Sequence, residues 1–241
     1  MDRTLRADGL HNARDLGGLP RLGGGETPAG VFFRSENVDH LTRQGWEQVH
    51  DAGIRTVVDL RQQVERDRDA TPRPDWVHAV HVDHDGLENA GFWADFWENG
   101  LVGTAMYYLP HLAAMPERTV AAVSAVVSAP PGGVLMHCMG GRDRTGLMSL
   151  VLLTAAGVEP DAIVDDYLET VRVGDPRAAT ANRNEAEDQI AELCAQFGTS
   201  TEQAFRDAQT GLDLDRVLDD GGITSADREA LQTWRGTLDR A

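Results

Sequence analysis

Apolar positions follow two rhythms along this chain. Val31-Phe32-Phe33-Arg34-Ser35 and Ile54-Arg55-Thr56-Val57-Val58-Asp59-Leu60-Arg61 are short β-branched and aromatic runs that read as strands, the second emerging from the core at Asp59. Between them Leu41 to Ala52 sets Leu41, Trp46 and Val49 on one helix face and closes at Gly53. Trp76 to Gly86 alternates, with Val80 and Val82 on one side and His81, Asp83 and Asp85 on the other. Asn89 to Gly103 concentrates Phe92, Trp93, Phe96 and Trp97 between glycines, which suits either a packed helix or a mobile lid. Val120 to Val127 is helical and stops before Pro130-Pro131, after which Gly133-Val134-Leu135-Met136 is a buried strand.

Helices dominate from there onward. Thr145 to Ala156 is apolar throughout and ends at Gly157, and Pro160 to Val171 carries Ile163, Val164, Tyr167 and Leu168 inward. Arg177 to Phe197 and Ile223 to Leu238 have helical lengths, and Cys194 falls in step with Ile190, Leu193 and Phe197 as core. This order predicts an α/β fold of three layers, a central mostly parallel sheet flanked by helices, with a helical C-terminal part at about 175–241. We expect one domain over 1–241, with an insertion at about 86–117 as a candidate lid.

Charge narrows the function. A formal net charge of −17 excludes nucleic acid and anionic membrane as main partners, because those surfaces repel it. The absence of any apolar run approaching ~18 residues, and of a signal-peptide core after Met1-Asp2-Arg3-Thr4, predicts a cytoplasmic chain without membrane insertion. Two cysteines, Cys138 and Cys194, are too few for a disulfide framework. All 22 basic residues are Arg.

The chemistry concentrates in His137-Cys138-Met139-Gly140-Gly141-Arg142-Asp143-Arg144-Thr145-Gly146, a loop between the last strand and the apolar helix. The first N–H groups of a helix lack intrahelical partners and carry the positive end of its dipole, so such a loop binds a phosphate dianion. The same field favours a Cys138 thiolate aimed at that anion. The string closely resembles the signature loop H-C-x-A-G-K-D-R-T-G of the bacterial-type protein-tyrosine phosphatase family. Asn12-Ala13-Arg14-Asp15-Leu16-Gly17-Gly18 is similar to its N-x-R-D-x-G-G motif, and Arg34-Ser35 and Asp59-Leu60-Arg61 with Glu65 match further patterns in the same order.

The resemblance implies a cysteine-dependent phosphatase fold and a phosphomonoester hydrolase working through a phosphocysteine without metal or other cofactor. Cys138 would be the nucleophile, and Arg144 would grip two phosphate oxygens. Met139, Gly140, Gly141, Arg142, Thr145 and Gly146 would complete the phosphate site, with His137 orienting the loop and Arg14 and Asp15 bracing it. Asp143 is the first candidate for general acid, against a simple pairing with Arg14, Arg61 or Arg142. Asp59 is the second, against a strand-end carboxylate that holds Arg61. Asp83 or Asp85 is a further proton source, and the histidines and aspartates of 78–85 also admit a metal reading. Two departures stand out: Gly140 for Ala, and Arg142 for a Lys that in relatives accompanies recognition of a second phosphate or a carboxylate. The expected substrate is a phosphotyrosine protein. A small phosphomonoester of a nucleoside, sugar or inositol is the alternative, and a phosphate-binding pseudoenzyme or a sulfur carrier is the reading of another class.

Overall fold

Five strands form one mixed sheet in the order β1-β2-β5-β3-β4, all parallel except the short edge strand β1. They are β1 (Arg14–Asp15), β2 (Phe32–Ser35), β3 (Ile54–Asp59), β4 (His78–His81) and β5 (Gly133–His137). The computed structural model describes residues 2–68, 71–174 and 185–239. Helix α1 (Arg43–Asp51) joins β2 to β3, and α2 (Gln63–Arg66) follows β3. Between β4 and β5 lie α3 (Ala90–Trp97), α4 (Tyr108–Ala114) and α5 (Pro116–Val127). After β5 come α6 (Asp143–Ala155), α7 (Pro160–Val173), α8 (Glu185–Gln196), α9 (Thr201–Gly211), α10 (Leu214–Asp220) and α11 (Ser225–Gln232).

Strand alternation explains the layers. Phe33, Val57 and Leu135 point to one face, where Trp46 and Val49 of α1 and Leu5 and Leu10 of the N-terminal segment cover them. Phe32, Val58, Val134 and Met136 point to the other, against Val123 and Val126 of α5 and the apolar α6. Helix α6 is buried along Leu147, Met148 and Leu150 to Leu153, which is why its sequence shows no polar face. Thr42 caps α1 by accepting the Gly45 N–H, and Gly53 at φ +82° turns the chain into β3.

The reading of 177–197 as one helix is met in part: α8 covers Glu185–Gln196, and 177–184 lie outside the described residues. The reading of 223–238 shortens to α11, after which Trp234 and Arg235 take the left-handed backbone region at φ 51° and 57°. Tertiary contacts hold that unfavoured conformation. Trp234 is fully buried edge-on to Phe32, and Arg235 donates to the carbonyls of Ala129, Pro130 and Gly132. Among the described residues no helix is long and apolar enough to cross a membrane.

Candidate active site

The three central strands end level with one another, with Ser35 and Asp59 paired to His137 in the ladders of β2 and β3 with β5. Cys138 therefore leaves the middle of the sheet at its carboxyl edge, where open α/β sheets collect ligands. The loop runs from Cys138 to Arg142, and α6 starts at Asp143 with its first N–H groups pointing back toward the cysteine.

Loop geometry is fixed from outside. The Asn37 N–H donates to the Met139 carbonyl at 3.0 Å, Asn12 Nδ2 to the Gly140 carbonyl at 3.2 Å, and Arg34 Nη2 to the Gly141 carbonyl at 2.7 Å. In a planar trans peptide the following N–H points opposite to the carbonyl, so those of Gly140, Gly141 and Arg142 are turned inward together. Among the described residues the N–H groups of Met139 to Arg142 have no protein acceptor. Gly141 sits at φ +71° so close to β2 that a Cβ would stand 2.6 Å from the Ser35 carbonyl and the Glu36 nitrogen, so glycine is required there for both reasons. Tyr108 Oη donates to the Asp143 carbonyl at 2.9 Å and His137 Nδ1 lies 3.1 Å from the Cys138 carbonyl.

Cys138 is 2% exposed at the floor of a cavity of about 310 Å³ that Met139, Gly140, Asp143 and Arg144 also line. Arg144 reaches over it, held by Glu65 of α2 through both Nη atoms (2.5 and 2.9 Å) and by Asp85 at 3.1 Å. Burial would raise the Glu65 carboxyl, but the Arg144 guanidinium outweighs it and holds it below the usual range. Asp85 goes the other way, because its burial exceeds what Arg144 and Gln62 return. A second cavity of about 130 Å³ on the far side of Arg144 is lined by Asp85, Asp143, Trp93 and Trp97. Asp143 thus faces the site with its side chain 30% exposed, while its Oδ1 sits 3.0 Å from Arg142 Nη1. The Thr145 hydroxyl is buried without a hydrogen-bond partner beside the loop.

Three of the candidate residues have their contacts elsewhere than in the loop's cradle or are held by protein partners. Asp59 is not in this site: Arg61 binds both its oxygens (2.9 and 2.8 Å), and it borders a separate cavity of about 240 Å³ with Arg66, Arg73 and His137. Burial pushes its carboxyl up, but Arg61 and His137 outweigh that and hold it at about 2. The Gly146 N–H is taken by the Arg142 carbonyl at 2.8 Å, so this glycine serves packing, its missing Cβ leaving room for Tyr108 and Tyr167. The Arg142 guanidinium is buried on the Gly103 carbonyl, Asp143 and Glu187 of α8, over the Tyr167 ring, at the wall of the cavity that Cys138 lines.

Arg14 and Asp15 stand behind the loop. Arg14 pairs with Asp166 of α7 and donates to Asn12 Oδ1, whereas Asp15 accepts the N–H groups of Gly17 and Gly30. Glu65 is legible in the sequence as a pattern member and Asp85 as a proton source, and nothing local shows that both meet Arg144. The histidines and aspartates of 78–85 are not gathered: His81 Nε2 meets the Arg61 carbonyl and His84 stacks on His111. Among the described residues no group of three or more His, Cys, Asp or Glu side chains is placed to hold a metal ion.

The family model described as the tyrosine phosphatase family matches residues 5–234. A Cupriavidus necator protein named as a candidate tyrosine-protein phosphatase is 31% identical over 171 residues, covering 69% of this chain and 62% of its own length. The triple specificity protein phosphatase PtpB of Mycobacterium tuberculosis is 31% identical over 169 residues, covering 58% of this chain and 61% of its own length. A tyrosine-protein phosphatase of Nostoc commune is 26% identical over 144 residues, or 58% of this chain and 48% of its own length. The match thus spans about three fifths of the first two relatives and about half of the third. With a cysteine-headed loop at the sheet edge and a family match across nearly its whole length, this chain belongs to the tyrosine phosphatase family.

Proposed function

We propose that this chain is a cysteine-dependent protein-tyrosine phosphatase that needs no metal. The observation that carries the reading is the cradle itself: inward N–H groups from Gly140 to Arg142, Cys138 beneath them, and Arg144 above. A phosphate dianion there meets fixed dipoles that require no rearrangement as charge spreads over the equatorial oxygens. Arg144 keeps its orientation through Glu65 and offers N–H groups to two of those oxygens.

In the first step Cys138 Sγ attacks phosphorus in line and the ester P–O bond breaks. Asp143 gives its proton to the departing oxygen, and a phosphocysteine remains. In the second, Asp143 takes a proton from water as that water attacks phosphorus. The P–S bond then breaks, returning thiolate and releasing phosphate.

Hydrolysis of para-nitrophenyl phosphate in excess chelator tests the metal-free reaction; phosphate binding without turnover would instead support the pseudoenzyme. A panel then separates substrates: kcat/KM on phosphotyrosine peptides is expected to exceed that on phosphoserine peptides and on nucleoside, sugar and inositol phosphates by about tenfold or more. The reverse order would establish the small-molecule reading. Replacing Asp143 by Asn is expected to slow alkyl phosphates by about 10²-fold or more, but para-nitrophenyl phosphate by less than about tenfold, since only the poor leaving group needs the proton. Equal losses on both would end the acid role.

A further inference from the structure

Behind the loop α7 presents a carboxylate to three arginines. Asp166 is buried, with Arg34 Nη1 at 2.7 Å, Arg3 Nη1 at 2.8 Å and Arg14 Nε at 2.9 Å. One turn later Thr170 Oγ1 accepts from Arg14 Nη2 at 2.9 Å. Burial alone would raise the Asp166 carboxyl, yet the three guanidiniums hold it far below the usual range, so it stays ionised.

Two chains of contacts run from this carboxylate into the loop. Arg34 binds Asp166 with one Nη and the Gly141 carbonyl with the other, at 2.7 Å each. Arg14 binds Asp166 and, through Nη1, Asn12 Oδ1 at 2.7 Å, and the Asn12 amide reaches the Gly140 carbonyl. These are two of the three carbonyls whose outward direction turns an N–H toward the anion. Without the carboxylate, the buried Arg14 and Arg34 guanidiniums would repel each other and the half-buried Arg3, and Arg34 would lose its ionic partner.

We propose that Asp166 is a positioning residue for the phosphate loop: it anchors Arg34 and Arg14, and through them holds the Gly140 and Gly141 carbonyls outward so that the Gly141 and Arg142 N–H groups face the transferring phosphoryl group. The proposal rests on the cradle being the phosphate site. Asp166 never touches substrate; its effect passes through the aim of two donors. Sequence patterning holds a trace of it, an acid inside the otherwise apolar stripe of Ile163, Val164 and Tyr167.

The test compares Asp166→Asn, Arg34→Lys and the double variant. Arg34→Lys keeps a cation against Asp166 but cannot also reach Gly141. Each single change is expected to lower kcat on para-nitrophenyl phosphate by about 10²-fold, the cost of misplacing an oxyanion donor, and to weaken vanadate inhibition by the same factor with KM within about threefold. The double variant is expected to be no worse than the poorer single, because the linkage that Arg34→Lys cuts is one of the two that Asp166→Asn releases. Activity is counted per folded molecule by titrating Cys138. A kcat within about threefold of the parent, or losses that multiply in the double variant, would overturn the proposal. Should Asp166→Asn fail to fold, Arg34→Lys carries the same expectation and the same refutation. If the parent protein turns nothing over, the function above fails on its own, and vanadate protection of Cys138 against iodoacetamide still decides: lost protection in the variants supports the positioning role, and equal protection refutes it.

Discussion

Replacing Cys138 by Ser is expected to abolish turnover, with a loss of about 10⁴-fold or more in kcat on para-nitrophenyl phosphate. A serine hydroxyl in the same place is not ionised near neutral pH, and the neighbouring ring, His137, is turned to the Cys138 carbonyl. The rest of the site does not depend on sulfur. Its N–H groups are oriented by Asn37, Asn12 and Arg34, and Arg144 is held by Glu65 and Asp85. The variant should therefore still bind phosphopeptide, within about tenfold of the parent's affinity for the product phosphate ion. Single-turnover kinetics measure the first part and calorimetric titration the second. A Ser variant with substantial turnover would mean that another group attacks phosphorus.

Acid is expected to unfold the protein well before its carboxylates are fully protonated. Burial holds His111 and His137 neutral down to about 4, and His84, buried against His111, lies well below 6.5. In the unfolded chain all three protonate near 6.5, so between about 6.5 and about 4 the unfolded state binds more protons and stability falls as pH falls. Each of the two rings at about 4 contributes on the order of 3 kcal/mol to that loss. Against total stabilities of about 5–15 kcal/mol this is a large share. Asp85, Asp15 and Glu36, raised by burial, oppose it, since they favour the folded state as they take up protons. Asp59, held at about 2, loses its contribution only below the unfolded carboxylate range. Thermal midpoints between pH 7.5 and 4.5 measure the balance, and a flat profile across that window would refute it.

The sequence reveals those parts of the site that are local. Cys138 to Arg144 is continuous, flanked by a strand and a helix whose patterns are strong, and its chemistry follows from helix-end electrostatics. The strands β2, β3 and β5 are legible for the same reason: each is a short apolar run between turn signals. What is hidden depends on register between distant segments. Asp59 stands at a strand end in a plausible place, but only the bidentate grip of Arg61 shows that it is committed elsewhere. Arg142 reads as a cation for substrate until α8 supplies Glu187. Asp166 lies 132 positions from Arg34, and no spacing rule spans that separation. The charged C-terminal third reads simply as helical, because the individual boundaries of α9 and α10 rest on caps such as Ser200 and Asp213 that resemble ordinary polar surface.

The position of β5 in the sheet also bears on how the chain is made. During synthesis β1 to β4 all emerge before β5, yet β2 and β3 are not neighbours: each lies against β5, with β1 and β4 as their other partners. Until residue 137 has appeared, the apolar positions that pair with β5, Phe32 and Phe33 on one side and Val57 and Val58 on the other, have no native partner strand between them. Unpaired apolar strand edges are templates for wrong pairing. The strand that seals them is the one that delivers the cysteine, so a nascent chain acquires its reactive centre at the same moment that its sheet is closed.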